Sequence, residues 1–249
     1  MSLPTLLSLL LIACSGKLHG EHHLFCRLLR RITDMISLLS ACIQELYHTP
    51  NGTSPIVKSN FLGIAGYLEE NANYQDYFYY EQSQVPTAYA KNYSFSYELV
   101  NGGVNDQMLQ DAGGEANLDV QAALLSYPVP TKFYSTGGRG SFIQTPSTPT
   151  NTNEPYAELF EYLLAKPDSQ LPSVLSNSYD DDEASVAPSY AKRVCDDIAA
   201  LTARGTTVLF SSGDYGVGND GECTINGKPK FLPNFPSTCP WGLSVGGSE

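Results

Sequence analysis

Two carboxylic acids four residues apart, Glu115 and Asp119, sit in the run Gly113-Gly114-Glu115-Ala116-Asn117-Leu118-Asp119-Val120-Gln121. On a helix this spacing offsets two side chains by only about 40°, so both acids share one face. Such a pair is ordinarily a solvated helix face. It gains meaning beside a third acid, Asp214, in Leu209-Phe210-Ser211-Ser212-Gly213-Asp214-Tyr215-Gly216. A glutamate of ordinary pKa near about 4.3 is a poor base at neutral pH and a suitable one in acid. A second carboxyl on the same face can orient it and hold a proton between them. A third, kept neutral by apolar surroundings, can donate a hydrogen bond to a developing oxyanion. One acid ionised and another protonated gives a bell-shaped dependence on pH in the acid range.

Positioning these groups requires a frame, and the chain reads as alternating strands and helices, as a parallel α/β sheet requires. Strands are expected at Phe61 to Tyr67, Tyr93 to Val100, Lys132 to Ser135, Ser173 to Tyr179 and Thr206 to Phe210. Helices are expected at Tyr74 to Gln84 (Tyr-rich, or else a lid-like segment), Glu115 to Leu125, Glu154 to Ala165 and Ser189 to Arg204. The last has apolar residues at Val194, Ile198 and Leu201 and stops at Gly205, which suits a helix C-terminus. Ser147 to Pro155, rich in Thr, Pro and Asn, reads as a loop, and the Tyr74 to Tyr80 aromatics read as packing surface. A helix face and a strand end can meet at the carboxyl edge of such a sheet, where α/β sites lie.

A chain of 249 residues can bury one substantial core. Charged residues make up 16 % of it, below the roughly 25 % of ordinary soluble domains. Acids outnumber Lys and Arg 26 to 14, a formal net charge of −12. That balance gives no electrostatic footprint for nucleic acid or an anionic membrane. Self-repulsion among carboxylates eases as they protonate, which suits work in acid.

The four histidines, His19, His22, His23 and His48, all precede the α/β region. A subtilisin-type triad needs a histidine within the sheet, and none is there. Neither a Gly-x-Ser-x-Gly elbow nor a His-Glu-x-x-His helix occurs, which excludes α/β-hydrolase and zincin chemistry. Of six cysteines, Cys14 and Cys26 lie in the N-terminal leader, and the other four, Cys42, Cys195, Cys223 and Cys239, leave three full pairings open. None are at Cys-x-x-Cys spacing, so a zinc ribbon is not expected. Asn51-Gly52-Thr53 and Asn92-Tyr93-Ser94 read as glycosylation acceptors, which with the cysteines favours an oxidising, extracellular setting.

Five runs occur in one order: Gly-Gly-Glu-Ala-Asn-Leu-Asp at Gly113 to Asp119, Ser176-Asn177-Ser178-Tyr179, Ser-Ser-Gly-Asp-Tyr-Gly-Val-Gly at Ser211 to Gly218, Phe235-Pro236-Ser237-Thr238-Cys239-Pro240, and Ser244-Val245-Gly246-Gly247. This series resembles the sedolisins, the serine-carboxyl peptidases, and most closely their fungal tripeptidyl-peptidase-like branch. The resemblance implies a subtilisin-like α/β fold, a mostly parallel sheet with flanking helices, incomplete at its C-terminus. It implies Glu115 as general base, Asp119 as its orienting partner, Asp214 as the oxyanion-site acid, and Ser178, Tyr179 and Gly213 as lining a substrate cleft. The substrate it implies is a peptide or protein hydrolysed at acid pH.

The family carries its nucleophile serine in Gly-Thr-Ser-Ala-Ser-x-Pro, well downstream of the position matching Asp214, and its calcium site lies there too. Neither is expected before Glu249, so residues 1–249 are expected to be inactive alone. Asn51-Gly52-Thr53-Ser54-Pro55 precedes the acids and lacks the rest of the motif. Residues 1–35 read as a leader, with an apolar run from Leu3 to Ala13 of signal-peptide length, too short to span a bilayer, and 36–249 as the N-terminal part of the peptidase domain. The rival reading of the leader is an arbitrary extension. The rival reading of the whole chain is a non-catalytic fragment or pseudoenzyme that binds peptides or a protein partner. One departure stands out: where the family has glycine after Ser-x-Ser-Tyr, this chain has Asp180, adding bulk and charge to the cleft edge.

Overall fold

The computed structural model describes residues 47–48, 60–84, 93–123, 129–146, 148–216, 224–225 and 228–247. The expected leader, both glycosylation asparagines, Ser54, Cys42 and Cys223 lie outside them. The centre is a six-stranded sheet, every pairing of which is parallel. Its strands are β1 (Leu62–Gly66), β2 (Phe95–Val100), β3 (Thr131–Thr136), β4 (Val174–Asn177), β6 (Thr207–Ser211) and β10 (Leu243–Val245). They lie in the order β10-β6-β4-β1-β3-β2. The helices are α1 (Tyr74–Gln84), α2 (Gly114–Ala122), α3 (Tyr156–Leu164) and α4 (Pro188–Ala203).

Side chains on a strand alternate between faces, and this divides the core in two. Ala65, Tyr134, Leu175, Val208 and Phe210 meet α3 and α4 on one face, with Phe160, Leu163, Val194 and Ile198 fully buried. Ile64, Phe133 and Phe95 meet α1 and α2 on the other, through Tyr77, Ala116 and Val120. Burial on both faces explains why the inner strands read as apolar runs, whereas β2, at one edge, exposes Ser96 and Leu99. The Tyr-rich segment is a helix, not a lid: Tyr74 stacks on Phe95 at 4.6 Å and Tyr77 is buried against the same ring.

Element boundaries fall close to expectation. Helix α4 has Pro188 in its first turn and ends at Gly205 with φ +97°, a left-handed residue that only glycine adopts without strain. Two small antiparallel pairs were not legible in the sequence: β5 (Asp181–Asp182) with β9 (Asn234–Phe235), and β7 (Thr224–Ile225) with β8 (Lys228–Pro229). The first buries Asp181 and Asp182, the middle of the acidic run Asp180-Asp181-Asp182-Glu183.

Of the open cysteine pairings, Cys195 on α4 and Cys239 just after β9 are joined, 44 residues apart. Cys239 is buried in the core and Cys195 packs against it. Closing a loop of that length restricts the unfolded chain by about 4 kcal/mol in the chain-entropy model. Cys195→Ala with Cys239→Ala is therefore expected to lower unfolding free energy by that order, and urea titrations with and without reductant check it.

Candidate active site

Because the strands are parallel, their carboxyl ends lie on one side of the sheet, and several functional side chains follow those ends. Glu70 follows β1, Ser178 follows β4 and Asp214 follows β6. The β4–β6 register pairs Asn177 with Phe210, which sets Ser178-Tyr179-Asp180 beside the run from Ser211 to Asp214. Beyond β1 the chain turns through Leu68 and Glu69, both with positive φ (54° and 59°), a conformation sparsely used by residues with side chains. That turn aims Glu70 at the start of α2.

The first turn of a helix has backbone N–H groups without partners, and a carboxylate there satisfies them and suits the helix dipole. Glu70 Oε2 accepts from the Glu115 and Ala116 N–H groups at 3.1 and 3.3 Å. Gly113 makes room for this, because a Cβ there would collide with the Glu70 carboxyl. On the far side of α2, Asn117 donates to Asp76 Oδ2 (3.0 Å) and accepts from the Asn73 N–H (2.7 Å), tying the helix to α1. With Ala116 and Val120 buried in the core, the rotation of α2 is fixed.

Glu115 and Asp119 then lie together on the face toward β4. Ser178 Oγ donates to Asp119 Oδ1 at 2.7 Å. Burial is the main cause that pushes the Glu115 carboxyl well above the ordinary range, reinforced by the charges of Asp119, Asp214 and Glu70, with the nearby Ser178 hydroxyl opposing. Asp119 is also raised, first by burial, with hydrogen bonds from Ser178 and Glu115 opposing. Two crowded acids joined by a hydrogen bond keep their protons through the acid range, and the pair gives up the first only as pH approaches neutrality. Asp119 Oδ2 is buried without a hydrogen-bond partner.

The structure brings Glu115, Asp119 and Ser178 into one hydrogen-bonded group, with Asp214 near enough for its charge to act on Glu115. Gly213, with φ +86°, makes the turn that presents Asp214. Asp214 itself is exposed, so the apolar enclosure expected around it is not supplied by the described residues. Tyr179 differs from expectation in another way. Its ring is buried edge-on against Tyr67 at 5.2 Å, so it supports the site from below, and only its backbone is free to line a cleft. Glu70 escapes the sequence reading, because two acids, Glu69 and Glu70, follow β1 and only the fold decides which of them turns towards α2. Among the described residues no group of three or more His, Cys, Asp or Glu is placed to hold a metal, so calcium has no fitting donor set there. No described helix is long and apolar enough to cross a membrane.

No family model matches the chain. It is 44 % identical over 217 residues to tripeptidyl-peptidase sed4 of Aspergillus fumigatus, which covers 84 % of this chain and 35 % of that one. Tripeptidyl-peptidase SED2 of Arthroderma otae is 41 % identical over 215 residues, with 84 % and 36 % covered. The chain thus spans just over a third of the length of these curated relatives. Among solved structures, Pseudomonas sedolisin, a serine-carboxyl proteinase complexed with two molecules of pseudo-iodotyrostatin, superposes with a TM-score of 0.53 at 18 % identity, over 80 % of this chain and 51 % of that one. At that identity the likeness speaks for the subtilisin-like α/β fold, and the fungal relatives speak for descent. With the five runs in register, these findings show that the chain belongs to the sedolisin family, in its fungal tripeptidyl-peptidase-like branch.

Proposed function

We propose that this chain supplies the carboxyl half of a serine-type peptidase site that hydrolyses peptide bonds at acid pH and releases tripeptides from N-termini. The observation that carries this reading is the crowding of Glu115 and Asp119, bridged by Ser178, beside Asp214 at the carboxyl end of a parallel sheet. In the proposed reaction the Glu115–Asp119 pair first gives up one proton, after which Glu115 takes the proton of the family's serine nucleophile. Asp119 steadies Glu115 and shares the proton, Ser178 keeps Asp119 in place, and Glu70 anchors the helix that carries both. Asp214 in its neutral form donates to the oxyanion of the tetrahedral intermediate. Glu115 then returns its proton to the leaving amine, as reversibility requires. The whole protein is proposed to be secreted into an acidic medium and to bind calcium through residues outside those described, with peptides or proteins as its substrates. The tripeptide preference is carried over from the two fungal relatives, both tripeptidyl-peptidases.

The test joins residues 1–249 to the serine-bearing remainder of the sed4 relative and follows a fluorogenic Ala-Ala-Phe amide. Hydrolysis with a bell-shaped profile below neutral pH is expected, lost with either the serine or Glu115 replaced. Residues 1–249 alone are expected to show no serine-dependent turnover at any pH. Turnover by that chain that survives Glu115→Gln and vanishes in Ser54→Ala would overturn the reading.

A further inference from the structure

Arg139 lies outside the group described above, yet it acts on the turn that aims Glu70. It sits in Gly137-Gly138-Arg139-Gly140, just beyond β3, and β3 pairs with β1, so its loop and the Leu68-Glu69 turn leave the same edge of the sheet from neighbouring strands. Arg139 Nη1 and Nη2 donate to Glu69 Oε1 and Oε2 at 2.9 and 2.7 Å, a two-point grip of a planar guanidinium on a planar carboxylate. The loop that carries Arg139 is itself pinned. The Gly137 N–H donates to Val100 O at 3.0 Å, Asn101 Nδ2 donates to Gly137 O at 2.8 Å, and the Gly140 N–H donates to Asn153 O at 2.7 Å. The turn it grips is strained. The Glu70 N–H donates to Tyr67 O at 3.0 Å, which closes the turn over Leu68 and Glu69. Both central residues have positive φ, a class of turn that ordinarily takes Asn-Gly. Residues with side chains stay in that region only where their surroundings hold them. Asn71 Nδ2 holds the Glu69 carbonyl at 2.9 Å, and Arg139 holds the Glu69 side chain. Two adjacent acids are sorted in this way, Glu69 to Arg139 at the surface and Glu70 to the first turn of α2. An exposed ion pair contributes little to stability by itself, whereas one that holds a strained turn acts on whatever the turn presents.

Resting on the site reading above, we infer that Arg139 is a positioning residue for the general base: by clamping Glu69 it holds the left-handed turn that delivers Glu70 to the helix carrying Glu115.

Carboxyl-carbon NMR of the 249-residue chain follows the Glu115 titration, which the Glu70 charge helps to raise. Arg139→Gln is expected to move it to lower pH as Glu70 leaves the start of α2. Loss of a nearby cation alone would move it to higher pH, so the direction separates a positioning role from a purely electrostatic one. Glu70→Gln should give the same downward shift, and adding Arg139→Gln to it should give none further, since both act through one contact. Leu68→Asn with Glu69→Gly supplies a turn that forms unaided, and there the titration is expected to stay in place although the ion pair is gone. Arg139→Lys, which keeps the charge and loses the fork, should fall between Arg139→Gln and the unsubstituted chain. In the serine-bearing form Arg139→Gln is expected to lower kcat about tenfold with KM little changed. A titration that stays in place in Arg139→Gln while it moves in Glu70→Gln overturns the inference and leaves the peptidase reading standing. So does a Leu68→Asn, Glu69→Gly chain whose titration shifts as far as that of Arg139→Gln. Titrations that behave as expected, in a serine-bearing form that hydrolyses nothing, overturn the peptidase reading and leave the clamp.

Discussion

Glu115→Gln is expected to lower turnover in the serine-bearing form by about 10²–10⁴-fold, the usual worth of a positioned general base, while making the 249-residue chain more stable at neutral pH. The two effects have one cause. The Glu115 carboxyl is held above its ordinary range by burial and by Asp119, Asp214 and Glu70. A group raised in this way keeps its proton in the folded chain at pH values where the unfolded chain has lost it. Folding therefore takes up a proton, and stability falls as pH rises from about 4.5 towards the raised value. Glutamine cannot ionise, so it escapes that loss, a gain of about 1–3 kcal/mol at pH 7 that shrinks to nothing near pH 4. Thermal melts at the two pH values, with kinetics of the serine-bearing form, check both halves. A purely structural glutamate would lose stability at both pH values on substitution. Asp119→Asn removes one of the charges that raise Glu115 and should move its titration down, read by carboxyl-carbon NMR of the same chain.

The parts of this molecule legible in its sequence are those set by local rules. An i,i+4 spacing fixes a shared helix face whatever the rest of the chain does, so Glu115 and Asp119 could be paired before any fold was known. The inner strands could be read because a sheet covered on both faces demands unbroken apolar runs, as at Ile64-Ala65 and Val208-Leu209-Phe210. The parts that escaped are tertiary. Glu70 reaches α2 across 45 residues, and nothing in Glu69-Glu70-Asn71 marks which acid turns inward. Asn234 takes its place through a strand of two residues, too short to show any period. The bond between Cys195 and Cys239 depends on where β9 returns to α4, which no spacing encodes. Asp180 to Glu183 is a run of four acids, a pattern that ordinarily marks a solvated surface, whereas the pairing of β5 with β9 takes its middle out of water.

That burial sets the second large effect. Asp181→Asn is expected to stabilise the chain at neutral pH and to flatten the pH dependence of its melting temperature. Asp181 on β5 and Glu154 just before α3 are 6 % and 5 % exposed, and their side chains are hydrogen-bonded to one another. Two carboxylates cannot share such a bond unless one is protonated. Both are pushed up, by burial first; Asp181 is raised further by the Glu154 charge, and Asp180 adds to each. Tyr156 donates to Glu154 Oε2 at 3.2 Å, which favours the ionised form of Glu154 and leaves the proton on Asp181. Folded-state values above the unfolded ones mean that the contribution is complete below about pH 4 and is lost as pH rises through neutrality, about 3 kcal/mol by pH 7.5 for even part of the shift. An asparagine at 181 offers an N–H where the shared proton was, which lets Glu154 ionise at lower pH, so the slope should shrink to what the burial of Glu154 alone leaves. Differential scanning calorimetry from pH 4 to 8 decides it. A wild-type melting temperature that is flat over that range, or an Asp181→Asn chain destabilised equally throughout, would refute a shared proton. Because Asp181 pairs with Phe235 and the next residue on that strand is Asn234, the same proton holds in place the cleft edge that bears Asp180. Fold and site thus favour acid for one physical reason: in both, carboxyls are buried away from water and lie closer together than their charges allow.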